Sequence, residues 1–172
     1  RGRSSRSLTA ALRSLVPLLT QRLPELPASD ALRLSHVLWA YATSGLLNNP
    51  TDARACAGVF TTGAAELLSR GLDKFDAQAL SNSLWAFATA KQPAAELFAA
   101  AADEIVSRRR VHEFTIQGLA NLAWAFSKAA PELFAEGPRR SVAAPDLFAE
   151  ISAAASESIQ SQTISIQRYP EA

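Results

Sequence analysis

Methionine is absent from this 172-residue chain, and cysteine occurs once, so the sequence reads as a processed product or a fragment with no internal disulfide. Proline blocks Asn49-Pro50-Thr51 as a glycosylation acceptor, and nothing points to secretion. Histidine is nearly missing: His36 and His112 form no Cys/His set with metal-ligand spacing, and Ser35 beside His36 is adjacency, not a catalytic pair. There is no phosphate loop, dinucleotide-binding glycine pattern or nucleophile elbow. These absences argue against an enzyme and lead us to expect no cofactor, no metal and no small-molecule substrate. No apolar run reaches the roughly 18 to 20 residues that cross a bilayer, so membrane insertion is not expected. Glycine is sparse and β-branched residues are scattered, whereas Ala, Leu, Glu and Arg abound, which points to an all-α chain.

Acid is missing from one region. Residues 1–24 carry Arg1, Arg3, Arg6, Arg13 and Arg22 and no carboxylate, for +5, while the remainder sums to −4. Attraction to nucleic acid must then come from the N-terminus or from a local patch, because the body as a whole repels phosphate. The Arg- and Ser-rich start is how an organelle transit peptide reads, or it is a structural helix with a stripe of Leu8, Leu12, Leu15, Leu19 and Leu23; the periodicity favours the helix. Pro17 is expected to kink or split it.

What the chain does have is repetition. VLWAYATSG, NSLWAFATA and NLAWAFSKA place Trp39, Trp85 and Trp124 at spacings of 46 and 39. The second and third copies share Phe75/Phe114, Gln78/Gln117, Leu80/Leu119, Asn82/Asn121 and Phe87/Phe126; the first keeps Leu34, Trp39 and Tyr41 but has Leu32 and His36 at the amide positions. Asp30, Asp76 and Thr115 are N-cap residues, and Phe75 with Leu80, like Phe114 with Leu119, has the spacing of a hydrophobic staple. Helices are expected to start at 30, 76 and 115. Leu80, Leu84 and Phe87 form one helical stripe, while Gln78, Asn82, Trp85 and Thr89 form another on roughly the opposite side. Ser81, Ala86 and Ala88 between them allow neighbours to approach closely.

A second, Ala-rich helix is expected after each first one, over 52–70, 93–109 and 145–161, with Pro93 and Pro145 in first turns. The units are then helical hairpins stacked as an αα-hairpin repeat solenoid, of about three hairpins and an N-terminal half-unit. The divisions are 1–28 for the Arg-rich segment and half-unit helix, 29–71, 72–111 and 112–162 for the repeats, and 163–172 for a frayed tail. PELFAEGPRRSVAA followed by PDLFAE lengthens the loop of the third unit.

The signature F-x-x-Q-x-L-x-N-x-x-W-A-F, complete at Phe75–Phe87 and Phe114–Phe126, resembles the octotricopeptide repeat and related repeats that accompany RAP and FAST-kinase-like domains. That resemblance implies a helical-hairpin array in a mitochondrion or plastid, binding RNA for processing, stability or translation, in some cases within an organellar ribosome.

The residues admit two readings at each position. Gln78, Asn82, Gln117 and Asn121 can read base edges, or form a buried ladder between hairpins, which the tryptophans on the same stripe favour. Trp39, Trp85 and Trp124 can stack on bases, but regular recurrence in an Ala-rich helix favours a core role, together with Phe87 and Phe126. Arg108, Arg109 and Arg110 either complement a helix dipole or, with Arg1, Arg3, Arg6 and Arg13, contact phosphate; Arg139-Arg140 is diluted by nearby acids. Cys56 reads as a small buried hydrophobe. The expectation is a non-catalytic organellar protein that binds rRNA or an organellar transcript, and protein subunits, within a ribonucleoprotein assembly; the alternative is a protein-only scaffold of a large organellar complex.

Overall fold

In the computed structural model, the described residues are 2–27, 30–129 and 144–168, with side chains described for 9–27, 30, 32–129 and 146–161. These residues form helices and no strands: α1 (Gly2–Arg22), α2 (Ala31–Thr43), α3 (Pro50–Arg70), α4 (Ala77–Ala90), α5 (Ala95–Ser107), α6 (Ile116–Ala129) and α7 (Ala144–Arg168), joined in part by short 3₁₀ turns. Helices α2, α4 and α6 pack side by side in one row; α1 packs on α3, α3 on α5 and α5 on α7 in a second row behind it.

The helix starts follow from local chemistry. Asp76 accepts the Ala79 amide at 2.6 Å and Thr115 Oγ1 accepts the Gly118 amide at 3.1 Å, each satisfying an amide that the helix leaves free. The residues of both staples are buried. Asp30 precedes α2 but makes no side-chain cap; its carboxylate pairs with Arg33 at 3.0 Å. Asn49 caps α3 instead, accepting from Thr51 and Asp52, with Pro50 in the first turn, where its missing N–H costs no bond.

Several expectations about boundaries change. α5 starts at Ala95, so Pro93 lies before the helix. α1 runs through Pro17 without splitting; it buries Val16, the turn after it buries Leu23, and Leu15 stands 41% exposed. α7 extends to Arg168, past the boundary expected at residue 162. The long loop and Arg139-Arg140 lie outside the described residues.

Within the first row, small residues set the spacing. Ala86 and Ala125, each following a tryptophan, are fully buried, as are Ser35 and Ser81, whose hydroxyls turn back on the carbonyls of Leu32 and Gln78. Between rows, the aromatic that ends each Trp-Ala-aromatic triplet reaches the helix behind. The Tyr41 hydroxyl donates to the Leu12 carbonyl at 2.7 Å. Phe87 meets Phe60 edge-on with centroids 5.4 Å apart, and Phe126 meets Phe98 at 5.1 Å. All five rings are at most 1% exposed. Gly63 admits Leu38, which a Cβ there would approach to 2.8 Å.

Two arginines tie successive units together. Arg70 donates to the carbonyls of Leu23, Leu26 and Pro27, held by Glu66; Arg110 donates to those of Leu72 and Phe75, held by Glu104 and Glu113. Each guanidinium reaches an earlier irregular turn, where Leu23, Pro27 and Leu72 already accept a turn amide and the arginine adds a bond to the Leu26 or Phe75 carbonyl.

Candidate functional site

The tryptophans are not core. Trp39 is 48% exposed and Trp124 40% exposed, while Trp85, which sits between them in the row, is half-buried. The physical reason lies in the row of helices. Ser35, Ser81, Ala86 and Ala125 are buried, as are Leu34, Leu80, Leu119 and the terminal aromatics, of which the last reach the second row. An indole one place before the buried alanine therefore points outward. Its stripe is the solvent face of the row.

Equivalent positions line up across that face: Leu32, Gln78 and Gln117; His36, Asn82 and Asn121; Trp39, Trp85 and Trp124; Thr43, Thr89 and Lys128. Gln78 and Gln117 are exposed, Asn82 and Asn121 half-buried. The expected buried amide ladder is absent: among the described residues, none of the four amide side chains makes a hydrogen bond. They line a groove of about 640 Å³ between α4 and α6, one side of which is Trp39. Four free amides present paired donors and acceptors, and the indoles offer flat apolar faces, a combination that suits unstacked nucleobases.

Of the arginines expected to contact phosphate, Arg110 is turned inward, whereas Arg13, Arg108 and Arg109 are exposed. Arg110 is 8% exposed and committed to backbone carbonyls, so it cannot reach a ligand. Arg108 pairs with Glu104 at 3.2 Å. Arg109 is exposed at the end of α5, in the left-handed region at φ 52. Arg13 makes two 2.6 Å bonds to Asp52, which raise its pKa from the ordinary value, hydrogen bonding first and charge second. Arg1 and the side chains of Arg3 and Arg6 lie outside the described residues. Near the N-terminal ends of α4 and α6 the groove is acidic, lined by Asp76 and Glu113. The opposite ends carry Lys91 and Lys128. Sequence reasoning missed these two lysines; the signal available was the position of Lys128 in register with Thr43 and Thr89.

Beneath α2, burial pushes the Cys56 thiol up, an effect the Asp52 charge adds to and Arg13 opposes; the Tyr41 phenol is pushed up to about 12, chiefly by burial. Among the described residues, no group of His, Cys, Asp and Glu is placed to hold a metal ion, and no helix is long and apolar enough to cross a membrane.

No protein-family model matches the chain, nor does any curated protein or solved structure.

Proposed function

We propose that this chain is a non-catalytic αα-hairpin repeat module that binds single-stranded RNA along the face of α2, α4 and α6, within an organellar ribonucleoprotein assembly. The solenoid reading is supported by the two rows of helices and by the interaction that recurs in each unit, from Tyr41, Phe87 or Phe126 to the helix behind. The RNA reading is carried by one observation: the repeated indoles and amides share a solvent face in register, with the amides unpaired. The resemblance of the repeat signature supports the organellar setting. Bases stack on the indoles, amides meet their edges, and exposed cations at the helix ends attract the backbone.

A second reading, a protein-only scaffold, is favoured by the second row, where Leu15 and Leu18 stand 41% and 48% exposed on α1. The two readings separate in a binding titration of labelled single-stranded RNA at increasing salt. The RNA reading expects retention at low ionic strength that falls steeply as salt rises, with a weaker response for duplex. No retention at low salt, or salt-independent retention, favours the scaffold.

A further inference from the structure

A second concavity, of about 650 Å³, opens at the C-terminal ends of α4 and α6, walled by Trp124 and flanked by Lys91 and Lys128, with Thr89 and Gln92 between. Its chemistry is unlike that of the amide groove. Among the described residues no carboxylate lines it, and neither lysine has an acid within ion-pair distance. Thr89 Oγ1 is buried without a hydrogen-bond partner, although Thr43 in the matching place donates to the Trp39 carbonyl at 2.9 Å. Lys91 occupies the left-handed region at φ 53, where the preceding unit has Gly45 at φ 77. A lysine thus stands at the C-cap of α4, in a backbone conformation that glycine adopts without strain.

We propose that this pocket binds a nucleotide carrying a terminal phosphate, with its base against Trp124 and the phosphate between the Lys91 and Lys128 ammonium groups. The two halves of such a ligand make opposite demands. The base needs a flat apolar wall, which a half-exposed indole supplies. A phosphate monoester carries about −1.5 to −2 at neutral pH and needs two cations in a place without acids, whereas a bridging diester carries about −1. Two unpaired lysines therefore match a terminal phosphate better than a link inside a strand. The volume falls within the roughly 300 to 1,000 Å³ of small-ligand pockets. The inference rests on the RNA reading only in naming a strand end as one source of the nucleotide; a free nucleotide is the other.

Calorimetric titration of the full chain with a nucleoside 5′-monophosphate, the matching nucleoside and inorganic phosphate tests it. The monophosphate is expected to bind about tenfold or more tightly than either fragment, as one added charge-assisted contact of about 1.4 kcal/mol provides. Lys91→Gly with Lys128→Ala should abolish that preference; glycine suits the left-handed position, so the double variant keeps its fold, which its melting temperature checks. Lys128→Arg should retain binding. Equal binding of nucleoside and monophosphate, or a preference untouched by the double variant, overturns the proposal. A second arm compares 5′-phosphorylated with 5′-hydroxyl oligonucleotides: a tenfold preference for the former assigns the strand end, and monophosphate binding without that preference assigns the free nucleotide. Loss of hydroxyl-oligonucleotide binding alone sinks the RNA reading and spares the pocket; loss of monophosphate binding alone does the reverse.

Discussion

Trp85 and Trp124 lie with ring centroids 6.1 Å apart and planes inclined by 35°, on adjacent helices and on the face turned to solvent. A tilted pair at this distance interacts weakly through its own π systems, by about 0.5 to 1.5 kcal/mol, and leaves outer faces free. Trp124→Ala should therefore cost about 1 to 2 kcal/mol of folding stability, below the roughly 3 to 5 kcal/mol of a buried tryptophan. On the proposed function it should also weaken single-stranded RNA binding by about 1 to 3 kcal/mol. Chemical denaturation alongside an RNA titration measures both. A loss of stability as large as that of Phe126→Ala would mean that the indole is a core residue after all.

The three consecutive arginines at the end of α5 should behave in three different ways. Arg110→Ala removes a donor to the Leu72 and Phe75 carbonyls and one partner of Glu104, and should destabilise by about 2 to 4 kcal/mol. Arg108 is 61% exposed in its pair with Glu104, so Arg108→Ala should stay within about 1 kcal/mol of the parent. Arg109→Gly relieves a left-handed backbone at φ 52 and should stabilise by about 1 kcal/mol. Urea titrations of the three variants give the ordering; three similar values would contradict the clamp.

What could be read from the sequence was whatever chemistry is local. The starts of α4 and α6 were legible because Asp76, Thr115 and their staples act within a few residues. So was the inward stripe of Leu80, Leu84 and Phe87, which a period of 3.6 fixes. The place of Trp85 was not, because the same period yields a second stripe and cannot say whether a neighbouring helix covers it. The companions of the indole held the clue: Gln78 and Asn82 share its stripe, and amides without partners belong in water. Arg70 and Arg110 were illegible for another reason. Their partners are carbonyls of turns 35 or more residues away, and backbone oxygens carry no signature in a sequence.

Tyr41 makes stability depend on alkaline pH. Its phenol is pushed up to about 12 in the fold, while the unfolded chain should titrate near the ordinary value of about 10. A raised pKa stabilises the neutral folded form fully below the unfolded value. As pH rises from about 10 to about 12 the unfolded state ionises first, and on the order of 2 kcal/mol is lost. Tyr41→Phe should remove this part of the alkaline decline. It also deletes the bond to the Leu12 carbonyl, at a cost of about 1 kcal/mol at pH 8. Denaturation of both proteins at pH 8 and pH 11 separates the two effects; parallel declines would show that Tyr41 is not the titrating group.

Asp76 has two roles that one substitution can part. Its carboxylate caps α4 through the Ala79 amide, and it lines the amide groove beside Glu113. Asn is as good an N-cap as Asp but carries no charge, so Asp76→Asn should change stability by only a few tenths of a kcal/mol, whereas Asp76→Ala should cost about 1 kcal/mol. If RNA lies in the groove, a negative charge there repels its phosphates across a distance that water and salt only partly screen. Asp76→Asn should then tighten RNA binding severalfold at low ionic strength, with the gain shrinking as salt rises. A protein partner that uses Asp76 as a hydrogen-bonded anion would respond in the opposite sense, binding the Asn variant more weakly. Measuring both ligands against the same variant therefore discriminates the two readings of the face, independently of the tryptophans.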